Sequence, residues 1–146
     1  MLELVKYISL NYIFYTLAII LFLYLGWKIR KIYKNFIFYL NKRKGIRAEK
    51  IAIKILKNNG YKIIKQQPRI KGSLYENDKK ILFFVRADLL VSKENTIYVA
   101  EVKSGKAASI NEIATRRQLL EYSKIFNSNI IILIDTKQNK IKKIQF

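Results

Sequence analysis

The sequence predicts an α/β domain with a mixed central sheet flanked by helices, preceded by one transmembrane helix. Three observations support this. Residues 7–27 carry no charge, helices are predicted at 45–60 from periodicity and at 109–126 from a capping box, and strand-like runs lie between and after those helices. Strands alternating with helices are typical of an α/β fold. The predicted organisation is an N-terminal membrane anchor at 1–27, a basic juxtamembrane segment at 28–44 and a globular domain at 45–146.

Composition restricts the chemistry that this protein can use. Its 146 residues include no cysteine and no histidine. Disulfides, thiolate metal sites, histidine-ligated zinc and serine–histidine mechanisms are therefore excluded. Any metal must be held by oxygen ligands, which favours Mg²⁺ and leaves Mn²⁺ as a second choice. No small-molecule cofactor is expected.

The charge balance predicts a polyanionic partner. The chain has 29 basic and 10 acidic residues, for a formal charge of +19. Nucleic acid and anionic lipid are the two candidate partners. A general lysine-rich bias in composition is the alternative explanation.

Residues 7–27 have the length and composition of a membrane anchor. As a helix they span roughly 31 Å, which is close to the hydrocarbon thickness of a bilayer. A buried core helix and a cleaved signal peptide are the alternatives, but no small-x-small cleavage site follows the run. Aromatic residues at both ends match the interfacial belts of membrane proteins: Tyr7, Tyr12, Tyr15, Tyr24 and Trp27.

Flanking charge predicts the orientation of the anchor. Glu3 and Lys6 precede it, whereas residues 28–47 are strongly basic with no acid. The positive-inside rule then predicts a single-pass protein of the cytoplasmic membrane with its C-terminal domain in the cytoplasm. The mixture of basic and aromatic residues at 28–44 is typical of a segment lying against anionic headgroups. A helical stalk and a DNA contact are the alternatives for this segment.

The first half of the globular domain is predicted from periodicity and turn residues. One helix should cover 45–60, with Gly60 in the left-handed position that ends it. A strand is predicted at 61–67, followed by a break at 68–72. Strands at 81–91 and 96–103 should form a hairpin through a turn at 93–95.

The second half of the domain is predicted in the same way. The sequence from Ser109 to Glu112 matches a capping box, which predicts a helix from there to about Phe126. An apolar strand is predicted at 129–135, and a short last strand at 140–146.

Two acids and a lysine are predicted to converge on the hairpin. Side chains alternate along a strand, so Glu101 and Lys103 share one face, and Asp88 lies on the paired strand. Adjacent carboxylates repel each other, and a divalent cation would relieve that repulsion. Lys103 could then stabilise negative charge or help to activate water. The alternatives are an ordinary ion pair at exposed strand ends, and neutralisation of Asp88 by Arg86.

Other polar residues extend this candidate site. Glu49 lies on the apolar stripe of the first helix and should be buried near the sheet, as a further metal or water ligand or paired with a basic residue. Gln118 and Tyr122 share one face of the second helix, where they could contact the site or a DNA backbone. Arg116 and Arg117 beside them could hold phosphates, or belong to a solvated helix surface.

These motifs, in this order, resemble the PD-(D/E)XK nuclease superfamily. The pattern consists of Gly45-x-x-x-Glu49, Gly60-Tyr61, Asp88, Glu101-Val-Lys103 and Gln118-x-x-x-Tyr122. It is most similar to the Holliday-junction-resolvase-like and RecB-like members, over roughly residues 45–135. Two features depart from the family: Ala87 replaces the proline that often precedes the first aspartate, and soluble resolvases lack a membrane anchor.

The resemblance implies a restriction-endonuclease-like core that hydrolyses phosphodiester bonds with Mg²⁺. By position, Asp88 and Glu101 match the metal ligands and Lys103 the catalytic lysine. Glu49 matches the acidic residue of the first helix, a further catalytic and metal-binding position. Gln118 and Tyr122 match the RecB-like motif.

Three functions are therefore compatible with the sequence. The first is a membrane-anchored, metal-dependent DNA endonuclease, which could act as a homodimer. The second is a catalytically inactive nuclease-like domain that tethers nucleic acid to the membrane. The third is a scaffold protein whose charge serves lipid binding alone.

Overall fold

A computed structural model describes residues 2–146, with side chains from Tyr12 onward. The chain divides into two compact units, Met1–Lys44 and Gly45–Phe146. Tyr7, Glu3 and Lys6, which contribute to the predicted anchor and its orientation, lie outside the described side chains.

The first unit consists of the N-terminal part of helix α1, which spans Leu2–Asn58. Among the described residues, α1 is the one helix long and apolar enough to cross a membrane, and it lies near the N-terminus. None of its most apolar stretch is buried inside the protein, whereas a core helix is mostly covered. This exposure argues against the core-helix alternative. Residues 28–44 are also α-helical.

The second unit contains a mixed five-stranded sheet, which confirms the predicted α/β class. The strand order is β1-β4-β5-β6-β7, with β5 and β6 parallel and the other neighbours antiparallel. Strands β2 and β3 form a separate two-stranded sheet. The elements after α1 are β1 (Lys62–Gln66), β2 (Arg69–Glu76), β3 (Lys79–Arg86), β4 (Leu89–Lys93), β5 (Thr96–Lys103), a 3-10 turn (Gly105–Ala107), α2 (Ile113–Ile125), β6 (Ile130–Asp135) and β7 (Lys140–Gln145).

Two apolar clusters cover the two faces of the five-stranded sheet. On one face, the C-terminal end of α1 packs through Ala52, Ile55 and Leu56 against residues that include Ala100. On the other face, α2 packs through Leu119 and Tyr122 against the group Val85, Ala87, Val99, Ile131 and Leu133. Since side chains alternate along β5, Glu101 lies on the same face as Val99 and therefore on the α2 face.

Several predicted boundaries agree with the structure. Helix α1 ends at Asn58, and Gly60 has a φ of +80°, the left-handed conformation expected after a helix. Glu94 and Asn95 both have positive φ and connect the paired residues Lys93 and Thr96, which is the geometry of a two-residue hairpin turn.

The predicted break at 68–72 and the predicted single strand at 81–91 are both wrong. Residues 69–76 form β2, and residues 81–91 are divided between β3 and β4. The interruption lies at Ala87 and Asp88, where the chain leaves the β2–β3 hairpin and enters the five-stranded sheet. The amide of Ala87 donates to the carbonyl of Pro68, and the carbonyl of Asp88 accepts from the amide of Gln67. Tertiary pairing thus divides one apolar run between two sheets.

The predicted capping box is also wrong, since α2 begins at Ile113. Ser109 Oγ accepts a hydrogen bond from the amide of Asn111, and Glu112 makes no side-chain cap. The buried hydroxyl of Thr115 donates instead to the carbonyl of Ala107 at 2.7 Å. These local bonds hold residues 109–112 in a turn and compete with the helical pattern.

We expect Leu119→Ala to destabilise the domain by about 2–5 kcal/mol, because Leu119 is fully buried between α2 and the sheet. The matched control is Leu120→Ala, one position along the same helix and 46% exposed, which should cost less than about 1 kcal/mol. Denaturant unfolding of the full chain in detergent, followed by circular dichroism, measures both. Equal losses in the two variants would contradict this packing.

Candidate functional site

The register between β4 and β5 builds the centre of the site. Leu89 pairs with Ala100, so Asp88, just before β4, lies beside the next residues of β5. Its carboxylate oxygen Oδ2 accepts a hydrogen bond from the amide of Val102 at 2.8 Å. Asp88 and Glu101 are close enough for their charges to interact. The structure therefore brings together the two predicted carboxylates.

Lys103 joins these carboxylates on the same face of β5. Its ammonium Nζ lies 2.8 Å from Oε1 of Glu101, an ion pair in which the Glu101 side chain is 3% exposed and the Lys103 side chain 26% exposed. Glu101 is thus held inside the protein, while the lysine reaches solvent.

Tyr122 of α2 holds Glu101 from the opposite side. The Tyr122 hydroxyl lies 2.9 Å from Oε2 of Glu101 and 2.9 Å from the carbonyl oxygen of Arg86, so its single proton can be donated to either acceptor. Gln118 Nε2 donates to the same hydroxyl at 2.6 Å. Gln118 and Tyr122 were predicted to share a helix face. Tyr122 contacts the site directly at Glu101, and Gln118 contacts it through Tyr122.

Burial sets the protonation of this cluster. Desolvation, followed by the negative charge of Asp88, raises the pKa of Glu101 to about 7, although Lys103 and Tyr122 act to lower it. Burial and the neighbouring Glu101 also raise the pKa of Tyr122, which stays a neutral donor. Glu101 is consequently a carboxyl group that changes charge near neutral pH.

Glu49 does not occupy its predicted position. It is half-buried rather than buried, and its carboxylate makes no hydrogen bond or ion pair within residues 12–146. No group of three or more acidic side chains that could hold a metal ion occurs in the same range. Glu49 is only half-buried because α1 packs tightly on the sheet from Ala52 onward, which leaves the apolar stripe around Ile46 and Glu49 partly uncovered.

The three arginines near the site have separate surroundings. Arg116 Nη1 donates to the carbonyl of Ile110 at 3.1 Å, so its guanidinium braces the turn before α2. Arg117 is exposed to solvent. Arg86 is exposed as well, and in the part of the chain whose side chains are described it forms no ion pair with Asp88. The alternative in which Arg86 neutralises Asp88 is therefore not supported.

Asp135, the last residue of the predicted strand at 129–135, is a buried carboxylate that was not among the predicted site residues. It pairs with Lys103 across the parallel β5–β6 ladder and is 1% exposed. Its Oδ1 accepts from the amides of Gly105, Lys137 and Gln138. Burial would raise the pKa of Asp135, but these three amides lower it overall. Asp135 thus anchors both the loop after β5 and the turn after β6, and an aspartate at the end of an apolar strand is the signal for such a turn.

The donor atoms of the cluster suit a hard divalent cation. Asp88 and Glu101 supply two carboxylates, and one or two carboxylates together with substrate phosphate is the usual coordination of Mg²⁺ in enzymes that process phosphates. Burial, followed by the repulsion from Asp88, raises the pKa of Glu101, and such a cation would relieve that repulsion.

Comparison with known proteins gives information on the fold alone. No protein-family model matches the chain, and no match to a curated protein was found. The chain is similar to the crystal structure of SSO0001, with 17% sequence identity and a TM-score of 0.50. The similarity covers 69% of this chain and 48% of SSO0001, so the chain spans about half the length of that protein.

We expect Asp88→Asn to lower the pKa of Glu101 from about 7, because it removes a neighbouring negative charge. Lys103→Met should raise the same pKa, because it removes a hydrogen bond and a positive charge. A ¹³C NMR titration of the glutamate carboxyls, assigned with Glu101→Gln, measures both shifts. Asp78→Asn, in the exposed β2–β3 turn, is the control and should leave the pKa unchanged. If the pKa of Glu101 shifted in the same direction in Asp88→Asn and Lys103→Met, the result would contradict the placement of Glu101 between Asp88 and Lys103.

Proposed function

We propose that this protein is a membrane-anchored, metal-dependent nuclease that hydrolyses phosphodiester bonds in DNA. The observation that carries the proposal is the meeting of Asp88, Glu101 and Lys103 on the α2 face of the sheet. Two carboxylates and a lysine at the end of one hairpin are the groups that such a reaction needs. The function rests on this site, since a fold by itself does not specify an activity.

The same proposal assigns the domain a restriction-endonuclease-like core. A mixed sheet with α1 and α2 on opposite faces is compatible with that core. The order of Asp88, Glu101, Lys103, Gln118 and Tyr122 along the chain also matches the PD-(D/E)XK pattern. In this scheme Glu49, apart from the cluster, has no direct role in holding the metal.

Asp88 and Glu101 would hold a Mg²⁺ or Mn²⁺ ion. When bound, the ion supplies positive charge beside the scissile phosphate and favours deprotonation of the attacking water. Tyr122 donates to Glu101 and restricts the orientation of that carboxylate. Lys103, which pairs with Glu101 and is partly exposed, would donate a hydrogen bond to the negative charge that develops on phosphate oxygens. Water gives up a proton to solvent as it adds to phosphorus, the bond to the leaving oxygen breaks, and that oxygen takes up a proton.

The proposed DNA contacts follow from the same cluster. Gln118 is partly exposed at the site, whereas Tyr122 is buried and acts through Glu101 rather than on DNA directly. The exposed Arg117 on the same helix would contact a phosphate. Arg116 would have to leave the carbonyl of Ile110 to do so.

A second function, binding of nucleic acid without cleavage, is favoured by one observation. Glu101 and Lys103 satisfy each other in an ion pair at 2.8 Å, and no third acid joins Asp88 and Glu101 within the described residues. A closed pair of this kind also serves a purely structural role. The charge of +19 suffices for binding to phosphates.

A cleavage assay separates these two functions. The full chain in detergent is mixed with supercoiled, linear duplex and single-stranded DNA, with Mg²⁺, Mn²⁺ or a chelator. We expect metal-dependent cutting that falls by at least ~100-fold in Asp88→Asn and in Lys103→Met, because each loses a group at the reacting centre.

The matched controls for this assay are Asp78→Asn and Lys54→Met, which make the same charge changes at exposed positions. Both should retain full activity. Binding of DNA without cleavage, unchanged in all four variants, would exclude the nuclease and leave the tethering function.

The membrane anchor and its orientation belong to the proposal. Lys28 and Lys31 lie over the rings of Tyr24 and Trp27, each at 5.6 Å, at the end of the predicted membrane segment. Aromatic residues paired with cations suit the headgroup region, where both can contact phosphate and carbonyl groups. We propose a single span of the cytoplasmic membrane with residues 45–146 in the cytoplasm and residues 28–44 near anionic lipid.

Cysteine labelling tests this orientation, because the chain has no natural cysteine. Glu121→Cys, at an exposed position of α2, should react with a membrane-impermeant maleimide only after spheroplasts are permeabilised. Leu2→Cys, which precedes the uncharged run at 7–27, should react in intact spheroplasts. The reverse result would contradict the orientation, and loss of both proteins from the membrane fraction would contradict the anchor.

A further inference from the structure

The β2–β3 hairpin presents an outer face that the proposed cleavage site does not use. In an antiparallel pair, directly opposite residues point to the same side. The side of the hairpin that carries Gly72 and Phe83 faces α2, because a Cβ placed on Gly72 would lie 3.1 Å from the side chain of Ile125. The alternate positions therefore form the outer face: Arg69, Lys71, Ser73 and Tyr75 of β2, and Lys80, Leu82, Phe84 and Arg86 of β3.

This outer face is positively charged and has no acidic residue. Four of its eight positions are basic, and all eight are exposed. Arg69 stands directly opposite Arg86, and within the described residues neither forms an ion pair. Like charges directly opposite each other destabilise a sheet. An anion between the two arginines would relieve that repulsion.

Aromatic side chains alternate with these cations. Phe84 is 70% exposed and pairs with Lys71, and Tyr75 is 68% exposed and pairs with Lys80, whose ammonium lies 6.0 Å from the centre of the tyrosine ring. Large aromatic residues exposed to this extent on a sheet are available for stacking. Between them lies a shallow depression of about 300 Å³, lined by Lys71, Gly72, Ser73, Lys80 and Leu82.

The outer face also leads towards the candidate site. The carbonyl of Arg86 lies 2.9 Å from the hydroxyl of Tyr122, which contacts Glu101. Asp88 follows Arg86 by two positions along the chain. A strand of nucleic acid bound along the hairpin would therefore run towards the end of β3, where the chain continues to Asp88. The position of the hairpin next to Asp88 favours a nucleic-acid partner over a lipid surface, because lipid binding would make no use of a nearby candidate cleavage site.

We propose that the outer face of the β2–β3 hairpin binds single-stranded nucleic acid and delivers it to the Asp88–Glu101 site. Bases stack on Phe84 and Tyr75, and Arg69, Arg86, Lys71 and Lys80 contact the phosphates. Exposed aromatic residues among cations form the usual platform for unpaired bases, since every base has a face that can stack. The delivery step rests on the proposed nuclease function, whereas the binding step does not.

The first experiment places a reporter on this face. Trp27 is the only tryptophan of the chain, so Trp27→Phe combined with Phe84→Trp leaves one indole, at the exposed position. The full chain is reconstituted in phosphatidylcholine nanodiscs with a chelator present, so that no cleavage occurs. Twenty-nucleotide oligo-dT and oligo-rU should both quench the indole fluorescence by stacking. A duplex of the same length should quench it less. No quenching by either single strand would overturn the proposal.

Anionic vesicles of phosphatidylglycerol distinguish a lipid partner. If the face docked on lipid, the vesicles would shift the indole emission to shorter wavelength and the oligonucleotides would leave it unchanged. That result would also overturn the proposal. Oligonucleotide quenching without a lipid shift supports it.

The second experiment measures affinity in the same nanodiscs through the anisotropy of labelled oligo-dT. Phe84→Ala should raise the Kd by roughly tenfold or more, because base stacking is lost. Lys71→Gln with Lys80→Gln should weaken binding and reduce its dependence on salt. The matched control, Lys54→Gln with Lys57→Gln, removes the same charge from exposed positions of α1. Equal effects in the two double variants would mean that binding depends on net charge alone, and would overturn the proposal that this face binds nucleic acid specifically.

Activity assays on these variants separate this proposal from the cleavage function. If Phe84→Ala loses binding while the unaltered chain never cuts DNA, the binding face stands and the nuclease fails. If the unaltered chain cuts DNA and Phe84→Ala binds and cuts normally, the nuclease stands and the face fails. Because Phe84 is exposed, an unchanged thermal unfolding curve should accompany the loss of binding.

Discussion

The pairing of β4 with β5 is the constraint on which the candidate site depends. Leu89 opposite Ala100 puts Asp88 next to Glu101 and lets its carboxylate accept from the amide of Val102. A slip of β5 by one residue would turn Glu101 towards the α1 face while Asp88 stayed on the α2 face, because side chains alternate along a strand. The apolar contacts of both faces resist that slip, since Leu89 and Ala100 are buried under α1. Packing of the core therefore fixes the register of β4 and β5, and this register places Asp88 beside Glu101.

Glu101 shows how the domain accommodates an acid in its interior. A buried carboxylate is destabilising unless it is neutralised, paired or hydrogen-bonded. Here Lys103 and Tyr122 contact its two oxygens. Its pKa near 7 also allows the carboxyl group to take up a proton and become neutral. Asp135 is stabilised differently, by backbone amides of the loops around it, and its pKa is lowered. Two buried acids at the same edge of the sheet thus have opposite pKa shifts. Burial and the neighbouring Asp88 raise the pKa of Glu101, whereas hydrogen bonds from backbone amides lower the pKa of Asp135.

The basic charge of the chain is distributed among several surfaces. Residues 28–44 combine it with aromatic side chains on α1, and the outer face of the β2–β3 hairpin combines it with Phe84 and Tyr75. Each of these surfaces has exposed apolar area, which distinguishes it from a simple solvated lysine surface. The two are compatible with the two polyanions considered from composition, lipid headgroups for α1 and unpaired nucleic acid for the hairpin.

The sequence by itself determined the class of the fold, the apolar N-terminal helix, and the elements whose signals are local. Gly60 ended α1, Glu94 and Asn95 made the β4–β5 turn, and the spacing of Glu101, Lys103, Gln118 and Tyr122 selected residues that meet. Only the tertiary structure decided how the apolar run at 81–91 was divided, because the division depends on which distant strands pair with each half. Tertiary structure also decided that Glu49 stays apart, since periodicity identifies the apolar face of a helix but not how far along the helix that face is covered. The network around Tyr122 joins α2, β3 and β5, and such contacts between distant segments have no signal in local sequence.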